Sequence, residues 1–153
     1  MVKLRLVAVG GIKESFYRDA IAEYVKRLGK WAKVEILEAE EASRLDDPAQ
    51  KREAEADGIL KRVKGKTILL DVKGRLISSE GLAKLISDYT IAGDSELTFV
   101  IGGSNGVADS VKDRADEILS FGEITLPHQL FRVILLEQLY RAETILNGAA
   151  YHK

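Results

Sequence analysis

Three observations predict an α/β fold, with a mainly parallel sheet sandwiched by helices. Strand-like and helix-like stretches alternate along the whole chain. Two strand-like stretches, TILLDV at 67–72 and LTFVI at 97–101, are short continuous apolar runs, the pattern of strands covered on both faces. The last long helical stretch is apolar nearly all round between Leu130 and Leu136, broken only by Arg132. Such a helix must be covered on two sides, a surface wide for one small chain, and a partner subunit is a natural candidate for the second cover.

In order, Val2–Val9 alternates and then turns apolar, as a buried strand does, and Gly10-Gly11 ends it. Ser15 is placed to cap a helix over Phe16–Leu28, whose apolar residues lie on one stripe before Gly29. Lys33–Ala39 reads as a second strand. Asp47-Pro48 is an N-cap followed by a first-turn proline, opening a charged helix to about Val63. Thr67–Val72 is the third strand, and Lys73-Gly74-Arg75 reads as the turn after it. A helix capped by Ser78 or Ser79 runs to about Tyr89, and Leu97–Ile101 is the fourth strand, ending in GGSNG. A short helix near Ala108–Ala115 and a strand near Ile118–Phe121 lead to Pro127. From His128 the helical pattern holds to Asn147, with Gly148 as a left-handed stop.

The length, 153 residues, predicts a single domain over 1–153. Hydrophobic residues make up 46% and charged residues 31%, and no apolar run approaches the ~20 residues of a membrane span. With no cysteine and only two histidines, neither disulfides nor a metal site is expected, and the setting predicted is cytoplasmic. A net charge of −1 argues against gripping nucleic acid by bulk electrostatics. RNA contact would have to come from local clusters such as Lys61-Arg62-Lys64-Lys66, whose first reading is a solvated, charged helix end.

Ligands of open α/β sheets bind beyond the carboxyl ends of the strands, which singles out the loops Asp71–Ser79, Gly102–Gly106 and Phe121–Pro127. Gly102 and Gly103 allow close backbone approach or positive φ. GGSNG is neither a dinucleotide fingerprint nor a P-loop, so alone it reads as a ligand loop or simply a tight turn. The polar residues of the last helix are the other candidates. His128 stands at its start, and Arg132 is a lone cation in an apolar run, costly to bury without a partner. Arg141 with Glu137 reads as a structural i,i+4 pair. Tyr151 and His152 lie beyond the helix stop, where no core needs them.

TLPHQ, Arg132, EQLYRA and the terminal YHK, with FVIGGSNG upstream and KLRLVAVGGIKE at the start, resemble the ribosomal RNA large-subunit methyltransferase H family over the whole length. The resemblance implies a C-terminal deep trefoil knot, the SPOUT fold, which periodicity cannot reveal. It implies S-adenosyl-L-methionine as cofactor, held by Leu70, Gly102 and the knot loop Phe121, Gly122, Glu123, Ile124, Thr125 and Leu126. It implies a homodimer, and as partner 23S rRNA in the ribosome, methylated at N3 of a pseudouridine. The catalytic candidates are then Arg132, His152, Tyr151 and His128. Gly122-Glu123 and Ala149-Ala150 depart from the family's usual residues at those places. Two rival readings are a knotted methyltransferase acting on a tRNA base or ribose, and a non-catalytic knotted RNA-binding module.

Overall fold

A computed structural model describes residues 1–153. Five strands, β1 (Val2–Val9), β2 (Ala32–Ala39), β3 (Lys66–Leu76), β4 (Glu96–Ile101) and β5 (Glu117–Ser120), form one sheet in the order β2-β1-β4-β3-β5. Every pairing is parallel. The helices are α1 (Ser15–Leu28), α2 (Pro48–Arg62), α3 (Ser79–Ile91), α4 (Asp109–Arg114) and α5 (His128–Leu146). Alternation along the strands sends Leu4, Leu6, Ile68, Leu97 and Phe99 to the face under α1, α3 and α5. Val7, Val9, Leu69 and Val100 face α2 and α4.

Side-chain caps open two of the five helices, α2 and α3. The Asp47 side chain accepts from Gln50 N–H at 3.0 Å, and Ser78 Oγ from Gly81 N–H at 3.0 Å. Ser15 caps nothing. It is the first residue of α1, and the N-cap is Glu14, whose side chain makes no capping bond. Gly148 closes α5 with φ of 67°, as a left-handed stop requires.

The last helix finds both of its covers within the chain. α5 lies between α1 and α3 on the sheet, and Leu135, Leu136, Leu139 and Ala142 are fully buried in that core. An apolar surface too wide for one chain therefore does not describe Leu135 and Leu139. The half-exposed apolar residues of α5 include Leu130, Val133 and Ile134.

Residues 73–75 are strand rather than turn. β3 pairs with β5 through Ile68, Leu69 and Leu70, shifts register, and pairs again through Arg75 with Leu119 and Leu76 with Ser120. At Gly74 a Cβ would stand 2.7 Å from the Ile118 carbonyl oxygen, so only glycine lets the strands pass this closely.

Glu143 is a buried carboxyl on α5, 4% exposed, with Oε1 unpartnered and Oε2 accepting from Asn147 Nδ2–H at 3.3 Å. Burial raises its pKa above the usual 4.5 despite that bond. The folded state thus holds this proton more tightly than the unfolded one. Its favourable contribution is complete below the unfolded value and is lost as pH rises through the folded value. Glu143→Gln is therefore expected to raise the thermal midpoint at pH 7, on the order of 2–4 °C for about 1 kcal/mol. Calorimetry at pH 7 and pH 4 checks this, since the gain should vanish at the acid end.

Candidate active site

Beyond the carboxyl ends of β3, β4 and β5 the three loops enclose a half-open cavity of about 390 Å³. Its walls are Leu70, Asp71 and Val72 from β3, and Ile101–Ser104 with Gly106 and Val107 after β4. The segment between β5 and α5 adds Phe121, Gly122, Ile124, Thr125 and Leu126, and α5 contributes His128 and Phe131. The volume suits a small ligand, and the lining is mostly apolar and backbone.

The glycines here do different work from one another. Gly106 has φ of 81° and donates its N–H to Gly103 O at 3.0 Å, closing the turn. Gly102 and Gly103 do not adopt positive φ. Gly102 is needed because a Cβ would stand 2.6 Å from Val107 Cγ1 and 3.1 Å from Gly106 O. A Cβ on Gly103 would meet Glu55 Oε1 at 2.9 Å. Both are held against their own loop and α2, which keeps the cavity floor flat.

Gly122, with φ of 126°, turns the chain out of β5, and Ser120 Oγ both accepts from its N–H at 3.1 Å and donates to its carbonyl at 3.2 Å. Beyond it, the N–H groups of Glu123, Ile124, Thr125 and Leu126 make no hydrogen bond within the chain. Ile124 is 79% exposed beside the cavity. Free backbone donors along an apolar wall can hydrogen-bond the polar edges of a largely apolar ligand.

Of the residues expected to hold the cofactor, Leu70, Gly102, Phe121, Gly122, Ile124, Thr125 and Leu126 all line this cavity, and Glu123 alone does not. Leu119, at the end of β5 beside these loops, is buried in the core and lines no part of the cavity. Val72, Val107 and Phe131 were not singled out from the sequence. Phe131 reaches the site by packing its ring 5.3 Å from that of Phe121, a tertiary contact with no local signal.

The four catalytic candidates are not brought together. Only His128 lines the cavity. Arg132, 2% exposed, turns to the other side of α5, where Nη1 donates to Glu38 Oε2 at 2.6 Å and Nη2 to Gly10 O at 3.2 Å. It pins the loop after β1, helped by Lys13 N–H donating to Gln129 Oε1 at 3.3 Å. The lone cation in the apolar run is thus paired, and its pairing holds a loop in place. Arg132→Lys keeps the charge but cannot span both acceptors, so a loss of about 1–3 kcal/mol of stability is expected. Urea unfolding of the two proteins measures it. An unchanged midpoint would mean that the Gly10 loop needs no such tie.

Tyr151 and His152 sit near the opposite end of α5 and are docked rather than frayed. Tyr151 Oη donates to Glu137 Oε2 at 2.6 Å, and the same oxygen receives Arg141 Nη2–H at 2.8 Å. Arg141 Nη1 lies 3.1 Å from His152 Nδ1, and His152 Nε2 lies 2.6 Å from Glu80 Oε1. A guanidinium only donates, so Nδ1 accepts and the ring proton sits on Nε2, facing Glu80. Burial alone would raise the Glu137 pKa, but the bonds from Arg141 and Tyr151 outweigh it and hold the carboxyl below its usual range. Burial, and then the Glu137 acceptor, push the Tyr151 phenol well above its ordinary value. Both imidazole nitrogens are occupied, so His152 has no free lone pair in this pose. Thirteen residues of helix, roughly 20 Å, separate Arg141 from His128. Within one chain the tail does not reach the cavity.

A parallel sheet in this order thus builds one cavity from these three loops. The family described as "Predicted SPOUT methyltransferase" matches residues 2–152. The fold also resembles two solved structures at 15% identity each. One is a probable methylase family protein from Haemophilus influenzae, with a TM-score of 0.56, 99% of this chain and 70% of that chain covered. The other is a probable methyltransferase from Bordetella pertussis, with a TM-score of 0.57, 92% and 94% covered. Among curated relatives, the ribosomal RNA large subunit methyltransferase H of Lactobacillus johnsonii is 45% identical, over 99% of this chain and 100% of the relative. The protein of that name from Lactococcus lactis subsp. cremoris is 46% identical over the same shares. The chain belongs to the SPOUT methyltransferases and, within them, to the ribosomal RNA large subunit methyltransferase H family.

Proposed function

We propose that this protein transfers a methyl group from S-adenosyl-L-methionine to N3 of a pseudouridine in 23S rRNA of the assembled ribosome. The observation that carries the reading is the cavity of Leu70, Gly102, Phe121, Gly122 and Ile124–Leu126, with free N–H groups at 124–126. The residues fit the donor: apolar side chains flank a planar base, and unpaired backbone donors await its polar edges. When bound, the donor supplies an electrophilic methyl on a sulfonium. The chain's part is to align the acceptor nitrogen and let its proton leave. His128, half-buried in the cavity wall, is the side chain placed to contact the acceptor or take that proton. The threaded loop of a trefoil knot belongs to this reading, and the meeting of the three loops in one cavity supports it.

A homodimer is part of this reading, and the distance between tail and cavity supports it if the tail acts at the site. A second copy laid across the outer face of α5, around Leu130, Val133 and Ile134, would bring one copy's Tyr151 and His152 toward the other's cavity. Val133→Glu leaves the protomer core untouched and is expected to yield folded monomers. Sedimentation velocity reads this directly, and a wild-type monomer at micromolar concentration would be decisive against the dimer.

Incubation with labelled S-adenosylmethionine and ribosomes lacking the methyl group, followed by mapping of the label, tests the whole reaction. Label on one 23S pseudouridine is the expected result. Label on tRNA offered in parallel would move the acceptor, and RNA binding without label would make the chain a non-catalytic module.

A further inference from the structure

We infer that Asp71 is the residue that lets the cavity prefer the methyl-bearing donor over the demethylated product. This rests on the reading of the cavity as the S-adenosylmethionine site. Donor and product share the adenosine and the amino-acid arm. They differ by one methyl and one positive charge, because the sulfonium becomes a neutral thioether when the methyl leaves. The donor therefore carries a net charge of +1 and the product none. Apolar walls and backbone N–H groups, which make up most of this cavity, sense the methyl weakly and the charge hardly at all.

Among the residues lining the cavity only Asp71 and His128 are ionisable, and Asp71 is the only carboxylate. Its Oδ1 accepts from Lys73 N–H at 2.9 Å, which fixes the side chain at the irregular stretch between the two pairings of β3 with β5. Its Oδ2 accepts no hydrogen bond, and none of the chain's ion pairs involves Asp71. An unneutralised carboxylate in a half-enclosed, largely apolar cavity attracts a cation more strongly than it would in open water. The attraction is present for the sulfonium and disappears with transfer, so the same residue that favours loading favours release of the product.

Bracing this irregular stretch of β3 is a purely structural alternative, and Asp71→Asn separates the two roles. The amide oxygen can still accept Lys73 N–H, so the local strand geometry survives while the charge is removed. Calorimetry with wild-type and variant protein would use three probes: S-adenosylmethionine, S-adenosylhomocysteine, and sinefungin, whose amine puts a positive charge near the sulfonium position. The expected result is roughly tenfold weaker binding of the two cationic ligands, with the homocysteine product changed less than about twofold. Asp71→Glu should retain at least part of the preference. Equal weakening of all three ligands, or no change in any, overturns the inference while leaving the donor site standing. Failure of the wild-type protein to bind any of the three overturns the donor reading itself, and this inference with it.

Discussion

Gly102→Val is expected to abolish binding of S-adenosylmethionine while the protein stays folded. The cause lies behind the cavity floor. The first side-chain carbon at 102 would sit 2.6 Å from Val107 Cγ1 and 3.1 Å from the Gly106 carbonyl oxygen. Both neighbours belong to the loop that walls the site, so relief of the clash must push that loop out of place. Overpacking of this kind costs about 1–3 kcal/mol, and here the strain falls on the binding surface. Loss of affinity of ~100-fold or more is the outcome to look for by calorimetry, with circular dichroism confirming the sheet and helices. Gly102→Ala should show the same defect in milder form, because the clash begins at Cβ. An unaltered donor affinity in folded Gly102→Val would show that the loop after β4 is not part of the donor site.

Deletion of Tyr151–Lys153 is expected to remove methyl transfer to ribosomes while donor binding and thermal stability change little. The docked tail touches α3 and the C-terminal half of α5, through Glu80, Glu137 and Arg141, and lines no part of its own chain's cavity. Its effect on transfer would thus have to be exerted on a partner copy or on the RNA. His152→Ala alone should cost ~10²–10⁴-fold if the imidazole acts in acid–base catalysis. With Nδ1 and Nε2 both engaged, it must first break from Arg141 or Glu80 to do so. Mixing the truncated protein with protein carrying Gly102→Val gives the sharpest measurement. In a heterodimer, one intact cavity would face one intact tail, and recovered transfer would establish that the two come from different copies. Wild-type rates from the truncated protein alone would make the tail a structural clasp.

The alternation of elements was legible in the sequence from its periodicity and from several starts and stops with local chemistry: Asp47-Pro48, Ser78 and Gly148 act where the chain itself shows them. The continuation of β3 was not. Lys73-Gly74-Arg75 has the composition of a turn, and only β5, more than forty residues later, makes it a strand. The cover on α5 was half legible. An apolar pattern all round requires two neighbours, but it cannot say whether they belong to the same chain. They do, at Leu135 and Leu139, while the outer face around Val133 keeps the question open for a second copy. For the cavity, the loops at the strand ends were marked by position, and the donor residues within them by family resemblance. The orientation of Arg132 was beyond either. Its partner Glu38 lies 94 residues away, and a charge in an apolar run shows that a partner is needed without showing where it is.

The second pairing of β3 with β5 also bears on the order in which the protein comes into being. The cavity has no wall contributed by the first 69 residues, and its remaining sides wait for Phe121–Phe131 to be laid against β3. A nascent chain leaving the ribosome can assemble β1, β2 and their helices early, but these pairings are long-range and parallel, the slowest kind to form. Ligand binding thus appears only when synthesis is nearly complete and the last helix has docked. Capture of the methyl donor would therefore mark a finished molecule, and a chain truncated before residue 121 would be blind to it however well its N-terminal half had folded.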